Sequence, residues 1–379
     1  MREVVIVEAV RAPVGKRNGS LSGLLPVRLA AHVLRALIDR VQIDPVLIED
    51  VILGCVTPLG EQGANIARLA LLQAGLPVTV PGVTLNRMCG SSQQAIHFAA
   101  QAIAAGDMDV VIAGGIEMMS RLPIGSDWPK EWPPDFPYPL VHQGVSAEMI
   151  AEQWSLTRDQ LDRLAYDSHV KAAAATKRGD FVAEITPIEF TQPDGSRGTL
   201  NYDEGIRFEP NLEKMGQLQP AFKPDGVVTA GNASQISDGA AAVLLMSLDK
   251  AIELQLKPRA RFSARSVVGS DPVIMLTGPI PATQQALRRA RLTIEQIDAI
   301  EINEAFASVV LAWQAEIRPD PARVNPNGGA IALGHPLGAT GAILMTKLLH
   351  QLERSQGRYG LQTMCIGHGM ATATIIERL

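Results

Sequence analysis

The feature that most constrains the fold of this chain is its alternation of short apolar runs with alanine-rich stretches of helical periodicity. Such alternation is typical of α/β proteins, in which helices cover a largely parallel sheet. Strands are predicted at four apolar runs in the first third of the chain: 4–7, 51–53, 84–85 and 109–113. Residues 29–37 and 91–104 predict amphipathic helices, and the later run 241–246 predicts a further buried strand.

The chain also carries a weak internal repeat. Residues 43–54 (IDPVLIEDVILG) and 292–303 (LTIEQIDAIEIN) share apolar residues at four matching offsets, and each predicts a short helical turn that leads into a strand. Residues 109–119 (DVVIAGGIEMM) and 361–371 (LQTMCIGHGMA) each predict an apolar strand that ends in a glycine turn. Two similar halves are the economical interpretation.

Composition limits the classes of function. Hydrophobic residues make up 46% of the 379 residues and charged residues 19%, which is enough apolar material for a sizeable core. The net charge is −5, with 34 basic and 39 acidic residues and no basic block, so nucleic acid is a poor partner. No stretch of sequence approaches the ~18 uninterrupted apolar residues of a membrane span.

Three cysteines, Cys55, Cys89 and Cys365, are widely separated in the sequence. An odd number of distant thiols excludes a disulfide framework and predicts a cytoplasmic protein whose cysteines stay reduced. If one of these residues matters, its chemistry is therefore the reason.

Residues 126–140 (SDWPKEWPPDFPYPL) contain five prolines and four aromatic residues. Proline fixes φ and excludes regular structure, so a stiff loop is predicted. One interpretation is a surface excursion that packs its own rings onto the core. The other is a wall or lid over an apolar ligand, which a cluster of large rings on a loop favours.

Cys89 is a candidate nucleophile. It lies in VTLNRMCGSSQQAI, where a short strand meets a turn and then a helix whose first turn includes Gly90 and Ser91. Unpaired backbone N–H groups and the helix dipole favour negative charge at such a position. A downward pKa shift of ~1.5 units would make a thiol of pKa about 8.5 half ionised at neutral pH. The alternative is a buried structural cysteine.

A glycine-rich segment, residues 325–341 (NPNGGAIALGHPLGATG), has five glycines around the single histidine His335. It lacks the Gly-Lys-Ser/Thr ending of a phosphate-binding loop, and Pro336 interrupts the spacing of a dinucleotide fingerprint. Two interpretations stay open. His335 is either a base on a rigid loop that takes a proton from a nearby thiol, or a loop histidine hydrogen-bonded to the backbone.

Cys365 lies at the end of the predicted strand in MCIGHGM, three residues before His368. This spacing suits a metal ligand pair, but no second pair at zinc-site spacing is present. A second acid–base thiol is better supported.

Asn303 and Glu304 follow another predicted strand. Ligands of open α/β sheets gather outside the carboxyl ends of the strands. We therefore expect these residues to share one site at strand ends with Cys89, His335 and Cys365.

Taken together and in order, these segments resemble the thiolases, acyl-CoA:acetyl-CoA C-acyltransferases, over essentially the whole chain. The matching segments are NRMCGSSQQAI at 86–96, GGIEMMS at 114–120, VTAGNASQISDGAAAVLLM at 228–246, GPIPA at 278–282, NEAFA at 303–307, GGAIALGHPLGATG at 328–341 and CIGHGM at 365–370.

The resemblance implies a thiolase fold, with two similar βαβαβαββ halves in a five-layer αβαβα arrangement. The N-terminal half would comprise residues 1–118 and 237–257, and the C-terminal half residues 258–379. Between them, residues 119–236 would form a loop domain that binds coenzyme A and covers the substrate. The resemblance also implies a homodimer or homotetramer that acts on coenzyme A thioesters, with no metal and no prosthetic group.

Catalytic roles are implied position by position. Cys89 corresponds to the nucleophile that becomes acylated, His335 to the group that takes its proton, and Cys365 to a second acid–base. Asn303 corresponds to the residue that holds a water which, with His335, stabilises the thioester oxygen of acetyl-CoA. The backbone N–H groups of Cys89 and Gly367 correspond to the second oxyanion hole.

Six further residues match family positions that bind the substrate. Contacts with coenzyme A are implied for Arg207, His142 and Ser234. Apolar walls around the pantetheine and acyl group are implied for Phe222, Met275 and Phe306.

Two departures from the family pattern stand out. His368 replaces a glycine, and Gln143 replaces a methionine that limits acyl length in short-chain members. The backbone is less free at His368, although the N–H of Gly367 is kept. The loss of the methionine, together with the altered proline-rich aromatic loop, leaves acyl length open and points beyond acetoacetyl-CoA.

Two other functions were weighed against a reversible thiolase. A ketoacyl synthase-like condensing enzyme would lack the thiol at position 365. A non-catalytic, thiolase-like protein that binds lipid or acyl-CoA would be expected to lose at least one of Cys89, Asn303, His335 and Cys365, and all four are present.

Overall fold

The computed structural model describes residues 2–192 and 195–379. Its strands are β1 (Val4–Arg11), β2 (Gly15–Lys16), β3 (Asp50–Gly54), β4 (Gly82–Leu85), β5 (Val110–Met118), β6 (Ile188–Thr191), β7 (Arg197–Leu200), β8 (Ser237–Ser247), β9 (Ala260–Gly269), β10 (Ala299–Ile302), β11 (Tyr359–Ile366) and β12 (Met370–Arg378).

Its α-helices are α1 (Pro26–Val41), α2 (Ile66–Gln73), α3 (Ser91–Ala105), α4 (Gln143–Gln153), α5 (Arg158–Arg178), α6 (Leu212–Gly216), α7 (Leu248–Glu253), α8 (Pro279–Ala290), α9 (Ala307–Ile317), α10 (Ala330–Leu333) and α11 (Thr340–Ser355).

The sheet topology shows the same plan twice. In the first half the strand order is β4-β3-β5-β8-β1, with β3 parallel to β4 and β5, and β8 antiparallel to β5 and β1. In the second half the order is β10-β11-β12-β9, with β10 parallel to β11, and β12 antiparallel to both of its neighbours. Val324 bridges Ile300 in parallel and so takes the place that β4 has in the first half. The predicted duplication is confirmed.

The two halves stack into five layers. Helices α1 and α2 cover the outer face of the first half, and α8 and α9 cover that of the second. Helices α3 and α11 pack against each other and against strands of both halves, so they form the middle layer. The edge strands β1 and β9 pair through Val5 with Arg261 and Ile6 with Ala260, which joins the halves into one ten-stranded sheet.

The predicted strands and helices are present, with longer bounds than the apolar runs alone indicated. Short helical turns at Pro45–Leu47 and Ile294–Gln296 lead into β3 and β10, as the repeat predicted. The predicted glycine turn after the apolar run 109–113 is wrong, because β5 continues through Gly114 and Gly115. A Cβ on Gly114 would lie 2.2 Å from the carbonyl oxygen of Ala241, so this glycine permits close strand contact.

Residues 119–236 contain α4, α5 and α6 and the two-stranded sheet β6-β7. Their first part, 119–142, has neither helix nor strand, as the prolines predicted. Helix α4 begins directly after this loop, where Nδ1 of His142 accepts a hydrogen bond from the N–H of Gly144 at 3.1 Å. The aromatic loop is thereby fixed to the helix that follows it.

Candidate active site

Cys89 lies in a tight turn between β4 and α3. The side chain of Asn86 orders this turn, because its Oδ1 accepts the N–H of Met88 at 2.8 Å and its Nδ2 donates to the carbonyl oxygen of Val56 at 2.9 Å. Met88 adopts a positive φ of 45°, and Gly90 is the N-cap of α3. The chain reverses here so that the thiol sits at the N-terminus of the helix, in the manner of a nucleophile elbow.

The Cys89 side chain is buried, with 5% of its residue surface exposed. Backbone N–H groups of Gly367 and of Cys89 itself interact with the sulfur and favour its anion. Burial outweighs both, and the pKa of Cys89 rises to about 11. The expectation of a pKa lowered by the helix N-terminus is therefore wrong, because loss of solvation is the larger effect. The resting group is a thiol, and it needs a base.

His335 is a buried, neutral imidazole. Its Nδ1 lies 2.7 Å from the Thr340 hydroxyl, and that hydroxyl donates its own proton to the carbonyl oxygen of Pro336 at 2.9 Å. Thr340 must therefore accept from Nδ1–H, so Nε2 carries no proton and is the acceptor in its contact with the side-chain amide of Asn303. Burial lowers the pKa of His335 to about 4, so the unprotonated form dominates at neutral pH.

Asn303 is fully buried at the end of β10, with its Nδ2 3.3 Å from Nε2 of His335. Its Oδ1 has no hydrogen-bond partner among the residues that the structure describes. A buried amide oxygen of this kind calls for a further donor, which a water or a ligand can supply.

Cys365 is the penultimate residue of β11 and is 1% exposed. Burial raises its pKa, and a negative charge on the nearby Cys89 raises that pKa further. The two sulfurs therefore interact, and at most one of them is readily ionised at a time.

Buried carboxylates hold the surrounding segments together. Glu117, on β5, accepts the N–H groups of Val56 at 2.7 Å and of Gly338 at 2.9 Å, which ties the segment after His335 to the first half. Glu304 accepts the Ser168 hydroxyl at 2.6 Å and the N–H of Ile331 at 3.2 Å.

Sequence analysis did not identify Glu117 or Thr340. The signal for Glu117 was present as a lone acid inside an otherwise apolar strand.

The structure corrects one part of the expected placement. Cys89, Asn303 and Cys365 lie at the carboxyl ends of β4, β10 and β11. His335 does not follow a strand, because it lies between α10 and the short helical turn Leu337–Ala339. Leu337, two residues after His335, packs in the same apolar cluster as Cys89, and this packing brings the glycine-rich segment to the strand ends.

Three neighbouring cavities with shared lining residues adjoin Cys89 and His335, whereas Asn303 and Cys365 lie behind their walls. A cavity of about 30 Å³ adjoins Cys89 and is lined by Gly367 and His368. A groove of about 750 Å³ reaches His335, and a third space of about 670 Å³ lies beneath the aromatic loop. Trp128 lines all three, so the aromatic loop is a wall of the site.

The predicted substrate-binding residues are distributed over these cavities. Four of them line the 750 Å³ groove: His142, Phe222, Ser234 and Phe306. Met275 lines the other two cavities.

Arg207 lies apart from the groove lining, exposed, with its backbone N–H donating to Nδ1 of His169 at 3.1 Å. The groove also includes Lys16 and Arg17, two exposed cations that sequence analysis did not identify. Their signal was the basic pair in the loop after the first strand.

Within residues 2–192 and 195–379, no cluster of three His, Cys, Asp or Glu side chains is arranged to hold a metal ion. Cys365 and His368 have the sequence spacing of a metal ligand pair but have different surroundings in the fold. Cys365 lies in the sheet, whereas His368 packs on Trp128 with ring centroids 5.9 Å apart. All three cysteines are free. Among the described helices, none has the length and apolar character needed to cross a membrane.

The fold and this site together define the class of the protein: a duplicated α/β sheet with two buried thiols at its strand ends and a neutral histidine beside them. Sequence comparison narrows the class. Residues 4–249 match the thiolase N-terminal domain, and residues 256–378 match the thiolase C-terminal domain. The chain belongs to the thiolase family, and the resemblance seen in its motifs is confirmed.

Individual relatives match over nearly their full lengths. A steroid 3-ketoacyl-CoA thiolase of Mycobacterium tuberculosis is 52% identical, with 100% of this chain and 95% of that protein covered. A 3-ketoacyl-CoA thiolase of Vibrio parahaemolyticus is 44% identical, with 100% and 98% covered. Among solved structures, the Bacillus anthracis acetyl-CoA acetyltransferase is 39% identical, superimposes with a TM-score of 0.94, and matches over 100% of this chain and 99% of its own.

Proposed function

We propose that this acyltransferase catalyses the reversible thiolysis of 3-oxoacyl-CoA through an acyl-enzyme on Cys89. In the reverse direction the same steps condense an acyl-CoA with acetyl-CoA. The observation that carries the proposal is geometric: Cys89 lies at the N-terminus of α3 and lines one small cavity together with Gly367. An acyl group on this sulfur would have its thioester oxygen close to preorganised donors, each worth about 3 kcal/mol in a transition state.

The first step is attack by Cys89. Nε2 of His335 takes the thiol proton, and the thiolate attacks the 3-oxo carbon of the substrate. The bond between carbons 2 and 3 then breaks, its electron pair moves to carbon 2, and the acyl group stays on Cys89. The Cys365 thiol donates its proton to carbon 2, which releases acetyl-CoA. The buried, protonated state of Cys365 suits it to this donation.

The second step returns the enzyme to its resting state. The Cys365 thiolate takes the proton of the incoming coenzyme A thiol, and the resulting thiolate attacks the acyl-enzyme carbonyl. The bond from carbon to Cys89 breaks, and the departing thiolate recovers its proton from His335. No net proton is gained or lost by the protein. Stabilisation of the enolate of acetyl-CoA falls to His335 and to a water on Asn303, whose unpartnered Oδ1 supports this role.

Coenzyme A is proposed to occupy the 750 Å³ groove. Phe222 and Phe306 meet edge to face there, with centroids 5.9 Å apart, and provide an apolar wall for pantetheine. The cations Lys16 and Arg17 would meet the phosphates. Arg207, outside the groove, would contact only the exposed end of the ligand.

In this proposal residues 119–236 form the coenzyme A-binding domain inserted between the two halves, as expected from the sequence. The free thiols support a cytoplasmic location. Strand β4 ends the sheet and exposes Val83, which supports assembly into a homodimer or homotetramer.

The test is a thiolysis assay with purified protein, acetoacetyl-CoA and coenzyme A. We expect stoichiometric formation of two acetyl-CoA per substrate consumed, and loss of this activity in Cys89→Ala. Consumption of malonyl-CoA without use of acetyl-CoA would instead indicate a ketoacyl synthase. Binding of acyl-CoA without turnover would indicate a non-catalytic protein.

A further inference from the structure

The 670 Å³ cavity beneath the aromatic loop has no part in the steps proposed above. Four rings of the loop line it: Trp128, Trp132, Phe136 and Tyr138. Three of them keep much of their surface exposed, at 42% for Trp128, 42% for Phe136 and 52% for Tyr138. Exposed apolar surface concentrated around one concavity marks a ligand site rather than a core. We call this cavity the aromatic chamber.

The aromatic chamber adjoins the small cavity beside the nucleophile. Trp128, Met275 and His368 line both the chamber and the small cavity beside Cys89. The coenzyme A groove leaves the same small cavity in another direction, past Gln143 and Leu337. An acyl group on the Cys89 sulfur would therefore lie next to the chamber, on the side of Met275 and His368, which do not line the coenzyme A groove.

His368 lies at the junction between Cys89 and the chamber. It adopts a φ of 62°, which glycine takes without steric penalty, so the turn itself does not require a side chain here. Its imidazole packs against Trp128 at 5.9 Å and against Trp132 at 6.4 Å between ring centroids. In the part of the chain that the structure describes, neither ring nitrogen has a hydrogen-bond partner. The imidazole thus extends the ring-lined wall of the chamber toward Cys89.

We propose that the aromatic chamber is an acyl subsite for a rigid, ring-bearing acyl group, and that His368 is a specificity-determining residue of this subsite. The inference rests on the thiolase function proposed above and names the substrate class of the same site.

Three physical arguments favour a ring. Flat or puckered rings make extended contacts with aromatic faces at centroid distances of about 4.5–7 Å. A rigid ring also loses less rotational freedom on binding than a flexible chain of equal carbon number. Finally, a single extended chain would leave much of a 670 Å³ space unfilled, and its walls would lose dispersion contacts.

The test compares two 3-oxoacyl-CoA esters with the same number of carbons: linear 3-oxodecanoyl-CoA and ring-bearing 4-cyclohexyl-3-oxobutanoyl-CoA. Acetoacetyl-CoA is the reference substrate in each preparation. We expect kcat/KM of the wild-type protein for the ring-bearing ester to exceed that for the linear ester by about tenfold or more.

Two variants reduce this ratio if the subsite is as proposed. His368→Gly suits the local φ and removes the imidazole, whereas Trp132→Ala removes a ring from the chamber and leaves the sequence of the turn that carries Gly367 unchanged. Each should lower the ratio of the ring-bearing to the linear ester by about five- to tenfold. Tyr202→Ala, an exposed ring outside all three cavities, is the matched control and should leave the ratio unchanged.

Equal or better use of the linear ester by the wild-type protein would overturn the inference, as would an unchanged ratio in both variants. Both results leave acetoacetyl-CoA thiolysis intact, so the proposed function would stand. Failure of the folded wild-type protein to cleave any of the three esters would overturn the proposed function, and the subsite with it.

Discussion

Nδ1 of His335 donates a hydrogen bond to the hydroxyl of Thr340, with 2.7 Å between the heavy atoms. Thr340 can only accept in this pair, because its proton is committed to the carbonyl oxygen of Pro336. One threonine therefore fixes the tautomer in which Nε2 carries no proton and can act as the base, with Asn303 as its hydrogen-bond donor in the resting site. Thr340 does not touch the reacting atoms, and we regard it as a positioning residue.

Thr340→Val should lower kcat/KM for thiolysis by about tenfold, since a buried ring N–H left without an acceptor costs about 1–3 kcal/mol. The measurement is steady-state kinetics over a range of pH. The acid limb of the plot of kcat/KM against pH should shift. Thr346→Val is the matched control, because Thr346 also donates to a carbonyl one turn back, at 2.8 Å, without contacting His335. Equal losses in both variants would show that Thr340 acts only through helix stability.

The raised pKa of Cys89, about 11, predicts the pH dependence of its alkylation. Iodoacetamide reacts with thiolate, whose fraction rises tenfold per pH unit below the pKa. The rate should therefore climb steadily from about pH 7 to about pH 10 without levelling off. Peptide mass spectrometry assigns the modified cysteine. A rate that levels off near neutral pH would show that the helix N-terminus, and not burial, dominates the pKa.

Cys365→Ala should separate the two thiol functions. The variant should still accept an acetyl group on Cys89 from acetyl-CoA, because His335 still activates Cys89 and coenzyme A can leave as a thiolate without the proton from Cys365. It should lose exchange of the methyl protons of acetyl-CoA in D₂O by about 100-fold or more, the usual worth of a positioned acid–base group. Cys55→Ala is the control, since Cys55 is a buried thiol beside Glu117. Retained exchange in Cys365→Ala would assign the proton transfer to another group.

Removal of the two groove cations tests the position of coenzyme A. The double variant Lys16→Ala, Arg17→Ala should raise KM for coenzyme A about two- to fivefold with kcat nearly unchanged, as expected for exposed ion pairs that bind substrate and transition state equally. Its KM should also depend less on ionic strength than that of the wild-type protein. Lys177→Ala, an exposed cation on α5, is the control. An unchanged KM for coenzyme A would show that its phosphates bind away from these two cations.

Local pattern and the repeat were sufficient to predict much of the fold. The run 109–113 predicted β5, and the two related helical turns predicted β3 and β10, because these features depend on local apolar periodicity. In the second half a single bridged residue, Val324, stands where the first half has strand β4. The sequence did not predict this shortening. The surroundings of Val324 are the core of the second half and Lys171 of α5, which donates to the Val324 carbonyl oxygen, so no local pattern records the outcome.

The candidate site was predicted in part for the same reason. Cys89, Asn303 and Cys365 could be placed at strand ends, since each directly follows or ends an apolar run. The pKa of Cys89 depends on how deeply the turn is buried, which the sequence of the turn does not reveal. The place of His335 depends on the packing of Leu337 against a distant part of the chain.

The most direct test of the central claim is to trap the acyl-enzyme. Protein mixed with acetyl-CoA and quenched in acid should carry one acetyl group, which peptide mass spectrometry should locate on Cys89. Incubation of the acetylated protein with coenzyme A should remove the group and regenerate acetyl-CoA. An acetyl group found on Cys365 or Cys55, or thiolysis that persists in Cys89→Ala, would contradict the account.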